Sequence, residues 1–358
     1  MKLPPLIIGE LKAETPIIQG GMGVGVSGYR LSSAVANEGG IGVISGVQIG
    51  YREPDFETNT KDANIRGLKK EIRMARELSP KGILGVNLMV AINNYEEMVK
   101  ACVEEQVDII ISGAGLPLTL PKLVEGSNVK IAPIVSSGKA ASLIIRQWAK
   151  KYSRIPDMVI VEGPEAGGHL GFHLEELTEA KRPLEEIIPE VVEVVKSFEQ
   201  EHNRKIPVVA AGGIYTGQDI VKFLELGASA VQMGTRFIAT EECDADIRYK
   251  EALVNSNKED IGIIKSPVGM PGRAIRNDFI KHVEKERVAP RKCYNCIKKC
   301  DPKVTPYCIS KALIQAVRGN LDEALIFTGS SGYRLDKIVT VKELINELVT
   351  NAEKVYGE

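Results

Sequence analysis

Met158-Val-Ile-Val-Glu-Gly-Pro-Glu-Ala-Gly-Gly-His-Leu-Gly171 is the stretch on which the fold turns. Its start is apolar up to Glu162 and reads as a parallel strand buried on both faces. The remainder is a Gly-rich loop that carries a histidine. The same order recurs along the chain. Short β-branched runs fall at 16–19, 40–45, 83–90, 108–112, 130–135, 158–162, 206–211 and 230–234. Helical patterns lie between them, most clearly at 27–37, 64–78, 95–105, 140–151, 184–201 and 217–226. Alternating β and α units predict an α/β protein with a parallel sheet. Eight of them predict a closed TIM (β/α)8 barrel, with an open doubly wound sheet as the competing architecture. The glycines decide between these. QGGMG, SGAG, EGPEAGGH, AGGI and MGT all follow a strand. In a barrel every such strand end opens onto one face, whereas an open sheet needs such loops only near its switch point.

With 358 residues, the chain exceeds the roughly 250 of a typical barrel. The barrel is therefore expected over residues 1–240, and a C-terminal helical, Cys-rich cap packed on it over 241–358. Within the cap, 241–260 reads as helical, 266–272 as a loop, and 273–286, 309–318 and 341–355 as helical. A net charge of −1 supplies no basic excess for nucleic acid or an anionic membrane. No run approaches the ~18 apolar residues of a membrane span, and MKLPPLIIGE is too short and broken an apolar stretch for a signal peptide. The expected location is the cytoplasm, where thiols stay reduced.

The strand-end loops carry the candidate chemistry. Gln19-Gly-Gly-Met-Gly23 lets backbone approach a ligand closely, although a tight βα turn explains it as simply. Gly212-Gly213 and Gly234-Thr235 follow the seventh and eighth strands, where barrels commonly bind phosphate through backbone amides; Thr235 adds a hydroxyl donor. His169 sits in a loop with no apolar face to fill. An imidazole with a pKa near about 6.5 suits proton transfer at neutral pH. His173 is a weaker second candidate; His202 and His282 read as surface residues. Glu162 is placed to fix the loop or a ligand, and Glu165 is equally well explained as solvated.

PIIQGGMG, GVN at 85–87, SGAG at 112–115, EGPEAGGHLG, AAGGI and QMGTRF together resemble the nitronate monooxygenase family, formerly called 2-nitropropane dioxygenases, over about residues 5–280. Flavin-dependent enoyl-ACP reductases share that superfamily. The resemblance implies non-covalently bound FMN. Gln19, Gly20, Gly21 and Met22 would lie against the flavin, and Asn87 and Glu162 would hydrogen-bond it or its ribityl chain. Gly167, Gly168, Gly212, Gly213, Gly234 and Thr235 would hold ribityl and phosphate, with His169 catalytic. Relatives place a lysine contact in the helix after the fifth strand; Lys139 lies about one turn early for that role.

Two redox reactions follow from the resemblance: oxidation of alkyl nitronates with O2, or reduction of an enoyl thioester or similar activated alkene with NAD(P)H as electron donor. A flavin-free phosphate-binding isomerase or aldolase, with Lys139 or His169 in acid–base or Schiff-base work, is the remote alternative. A purely regulatory ligand-binding barrel accounts poorly for His169. The partner in each case is a small molecule, and the oligomeric state is left open, a homodimer included.

Cys293-x2-Cys296-x3-Cys300-x7-Cys308 departs from the family pattern. Four thiolates within sixteen residues suit a [4Fe–4S] cluster first, structural zinc second, and thiols that merely pack third. The first three resemble part of the cluster site of iron–sulfur flavoenzymes related to old yellow enzyme. Lys292, Lys298 and Lys299 favour thiolates in any of these cases. Cys102 and Cys243 read as core or surface residues.

Overall fold

The computed structural model describes residues 1–178 and 182–357. Thirteen strands are described in chain order: β1 (Leu6–Ile8), β2 (Leu11–Ala13), β3 (Ile17–Gln19), β4 (Ile41–Ser45), β5 (Ile83–Met89), β6 (Ile109–Gly113), β7 (Lys130–Val135), β8 (Val159–Glu162), β9 (Gly168–His169), β10 (Val208–Ala211), β11 (Ala230–Met233), β12 (Ile261–Lys265) and β13 (Pro271–Ile275). Strands β3 to β8, β10 and β11 form a closed parallel barrel, sealed where β11 pairs β3. These are the eight runs read from the sequence. Each lacks a polar alternation because one face fills the barrel and the other meets helices.

The barrel interior is packed rather than hollow. Ile18, Ile41, Ile109, Ile111, Met158, Ile160 and Val209 form one buried cluster there. The β1–β2 hairpin adds Leu6, Ile8 and Ala13 to the same cluster, so it plugs one end. The outer helices follow the expected positions closely: Tyr29–Asn37, Thr60–Leu78, Tyr95–Glu104, Gly138–Tyr152, Leu184–His202 and Gly217–Glu225.

The C-terminal part is only partly helical. Helices at Ile247–Val254, Asp278–Val283, Ile309–Val317 and Val341–Val355 agree with the sequence reading. Residues 273–275, expected to be helical, do not: they end β13, which forms an antiparallel hairpin with β12 across the expected loop and pairs β9 in the Gly-rich loop, Gly272 opposite His169 and Arg273 opposite Gly168. Gly269, at φ +80, makes the turn. Helical periodicity over 273–286 misled because these strands are stabilised by partners distant in sequence, which no local pattern records.

Candidate active site

A cavity of about 450 Å³ lies at the ends of the barrel strands, within the range of about 300–1,000 Å³ usual for small-molecule and cofactor sites. Gly20, Gly21, Met22 and Asn87 line it on one side. Glu162, Gly167, Gly168, His169, Gly212, Gly213, Gly234 and Thr235 line it on the other. Parallel strands deliver them together because every strand ends at the same face.

Two expected residues stand elsewhere. Gln19 is buried and spent on the barrel itself: its Oε1 accepts from the Val43 amide at 3.0 Å, and its Nε2 donates to the Gly20 carbonyl at 2.5 Å. It thereby bridges β3 and β4, whose backbone register is short. Lys139 is exposed on the first turn of its helix and does not reach the cavity wall. Among the described residues, no lysine or arginine lines the cavity. Any phosphate there is met by backbone amides and hydroxyls. Thr235 Oγ1 accepts from the Gly329 amide at 3.0 Å, which leaves its own proton free to donate. His173, the second histidine candidate, is also exposed and off the wall.

His169 is held by the hairpin. Its Nε2 lies 2.7 Å from Ser266 Oγ, and its ring meets Phe327 edge-on at 5.1 Å between centroids. Burial lowers its pKa to about 4, so the imidazole is neutral at neutral pH. That corrects the expectation of an ordinary histidine titrating near neutrality. Glu162 moves the other way: desolvation raises its carboxyl to about 7. The loop between them is clamped by Arg273, which donates from one nitrogen to the Pro164 and Ala166 carbonyls, both at 2.7 Å.

Ser266, Arg273 and Phe327 escaped the sequence reading because their roles depend on pairing between β9 and β13. Gln232 also lines the cavity. Its signal was present, as the one polar side chain within AVQM. Residues of the C-terminal part, Cys296, Ile297, Ile309 and Leu313 among them, complete an apolar outer wall. The four clustered cysteines do not form a single-ion centre. Among the described residues, no three His, Cys, Asp or Glu side chains converge where one metal ion could sit.

The family model of nitronate monooxygenases matches residues 5–351. The chain belongs to this family. It is thus an oxidoreductase of the nitronate monooxygenase family, acting on small molecules. A probable nitronate monooxygenase of Staphylococcus saprophyticus is 29% identical over the whole of both chains. A "(3aS,4S,5R,7aS)-5-hydroxy-7a-methyl-1-oxo-octahydro-1H-indene-4-carboxyl-CoA dehydrogenase" of Rhodococcus jostii is 28% identical over 75% of this chain and 65% of its own length. Among solved structures, FabK of Thermotoga maritima superposes with a TM-score of 0.73 at 28% identity, covering 95% of this chain and 93% of that one. Among the described residues, no helix is long and apolar enough to cross a membrane.

The cavity fits a flavin by its own geometry. Asn87, Glu162 and Gln232 line it with side chains that make no hydrogen bond among the described residues, and Asn94 Nδ2 in the same wall is buried without a partner, a costly state for an enclosed polar group. At Gly21 a Cβ would sit 2.4 Å from the Cβ of Asn87, and at Gly167 2.5 Å from the Thr328 carbonyl carbon. Both glycines therefore let neighbouring segments of the cavity wall pack closely, Gly21 against Asn87 and Gly167 against the Thr328–Gly329 backbone.

Proposed function

We propose that the protein oxidises alkyl nitronates with FMN held in this cavity. The observation that carries the proposal is the neutral His169–Ser266 pair in the cavity wall. A nitronate is already deprotonated and needs a hydrogen-bond donor rather than a base. An imidazole held at about 4 is a weak base for a neutral nitroalkane, but one ring nitrogen of the neutral form still donates. FMN, when bound, supplies the two-electron chemistry that takes electrons from the substrate and passes them to O2. Asn87, Glu162 and Gln232 would hold it by its polar edge, and the amides of Gly212, Gly213, Gly234 and Thr235 by its phosphate. His169 orients the substrate, and the apolar residues of the C-terminal part exclude water.

A second reading, reduction of an enoyl thioester with NAD(P)H, is favoured by the uncharged, apolar outer wall of the cavity and by the CoA-thioester enzyme among the relatives. One experiment separates the two. Flavin absorbance is followed without oxygen while an alkyl nitronate, NADH or NADPH is added. Bleaching by the nitronate supports the first reading; bleaching by the pyridine nucleotide alone, followed by reoxidation with an enoyl thioester, replaces it by the second. A colourless, flavin-free protein sinks both. In His169→Ala the flavin content should persist while the reductive step loses most of its rate.

A further inference from the structure

The polar and the apolar residues of the cavity come from different levels of the fold. Asn87, Glu162 and Gln232 lie within the barrel strands β5, β8 and β11. The large apolar side chains come from beyond the strand ends. Ile92 follows β5, Leu116 follows β6, and Ile297, Ile309 and Leu313 belong to the C-terminal part. A floor that can hydrogen-bond thus carries an apolar rim.

Backbone pairing joins the rim to the barrel. Ile297 forms a bridge with Ile92, flanked by bonds from the Asn93 amide to the Cys296 carbonyl at 3.1 Å and from the Lys298 amide to the Ala91 carbonyl at 3.0 Å. Ile309 and Leu313 are four apart on helix Ile309–Val317 and share one face. Two polar side chains set among them are already engaged. Gln48 Nε2 donates to Ser310 Oγ at 3.0 Å, and Gln48 Oε1 accepts from Asn64 Nδ2 at 2.7 Å. The nearby cation is spent too: Lys298 Nζ donates to the Val90 carbonyl at 3.0 Å. Burial pushes the Cys296 thiol up to about 11, so it is neutral. Among the described residues, no lysine or arginine lines the cavity.

We propose that this rim seats an apolar tail: the substrate whose head group meets His169 carries an alkyl chain of several carbons, and Ile92, Leu116, Ile297, Ile309 and Leu313 set the chain length preferred. The proposal rests on the reading of the cavity as the redox site and extends it to the class of substrate. The far end of the chain is uncharged, because an ion there would lose water and find no partner of opposite charge in the rim. Leu116 is exposed and also lines the cavity, so a chain lying on it removes apolar surface from water. Each methylene so buried tightens binding about fourfold.

The test is anaerobic flavin reduction in the full chain by the nitronates of nitroethane, 1-nitrobutane and 1-nitrohexane, read as rate over dissociation constant. The expected rise is about fourfold per methylene. Leu116→Ser removes apolar contact at an exposed position and should lower the hexyl-to-ethyl ratio by about fivefold. Leu313→Phe adds bulk to the rim and should move the preference toward the shorter chains. Primary alcohols from propanol to heptanol, titrated by calorimetry into the same proteins, give a readout without turnover. Their affinity should climb by the same factor, with a heat-capacity change more negative for each longer chain. A nitronate series flat within about twofold, or a gradient that both variants leave unchanged, overturns the proposal. If Leu313→Phe fails to fold, Leu116→Ser decides. If no nitronate bleaches the flavin, or the protein holds none, the nitronate reading fails by itself, and the alcohol gradient judges the rim by the same two criteria.

Discussion

Ser266→Ala isolates what the hairpin contributes to the site. Ser266 is buried and its Oγ stands 2.7 Å from His169 Nε2. Among the described residues, the ring's other aromatic contact is the edge contact with Phe327, which permits rotation. Removing the hydroxyl leaves an enclosed ring nitrogen without a partner, at a cost of about 1–3 kcal/mol. If that cost falls on the oriented state needed for reaction, flavin reduction slows by about 5- to 150-fold. The backbone pairing of Gly272 with His169 does not involve the hydroxyl, so flavin content should stay at the wild-type level. The assay is anaerobic stopped-flow reduction of the bound flavin by an alkyl nitronate, with flavin-to-protein ratio and Tm measured on the same samples. A reduction rate within twofold of wild type, at unchanged flavin content, would refute the claim that Ser266 positions His169.

Glu162→Gln should raise the Tm of flavin-free protein at pH 8 by removing an unpartnered carboxylate. The native carboxyl titrates at about 7 against 4.5 in its ordinary state, so stability is lost as pH rises through that window, by at most about 3 kcal/mol. A variant no more stable than wild type at pH 8 contradicts this. His169 has the opposite sign: with its pKa lowered from 6.5 to about 4, it costs stability as pH falls through that range, and His169→Gln should flatten the acid limb of a Tm-against-pH curve. Gly21→Ala brings a Cβ to 2.4 Å from the Asn87 Cβ and should abolish flavin binding, read as the flavin-to-protein ratio; normal occupancy would show that this wall does not touch the cofactor. Arg273→Leu removes two bonds from a charged donor, each worth about 1.5–3 kcal/mol. It should lower Tm and open residues 163–171 to limited proteolysis; a protease-resistant loop would show that β9–β13 pairing holds it without the clamp.

The apolar runs and the glycines placed after them contained the barrel and the position of its reactive face. A strand buried on both sides has no choice but to be apolar throughout, and a loop that admits a ligand to its backbone must lack side chains. Asn87, Glu162, His169 and the Gly212–Gly213 and Gly234–Thr235 loops could be named from those two constraints and the family resemblance, and they share one cavity. Local pattern failed where a residue's role is set by something remote. Gln19 looked like part of the ligand wall but closes the gap between β3 and β4. Lys139 was carried over by analogy, and its helix turns it to solvent.

Residues 261–275 and His169 show where the sequence stops. Nothing near His169 in the chain states that Ser266 will meet its ring or that burial will hold it neutral, because both follow from β13 pairing with β9. The sequence by itself determined that a histidine stands in a glycine-rich loop at the mouth of a barrel. Tertiary structure alone decided its protonation state, since desolvation and hydrogen bonding depend on neighbours brought from about a hundred residues away.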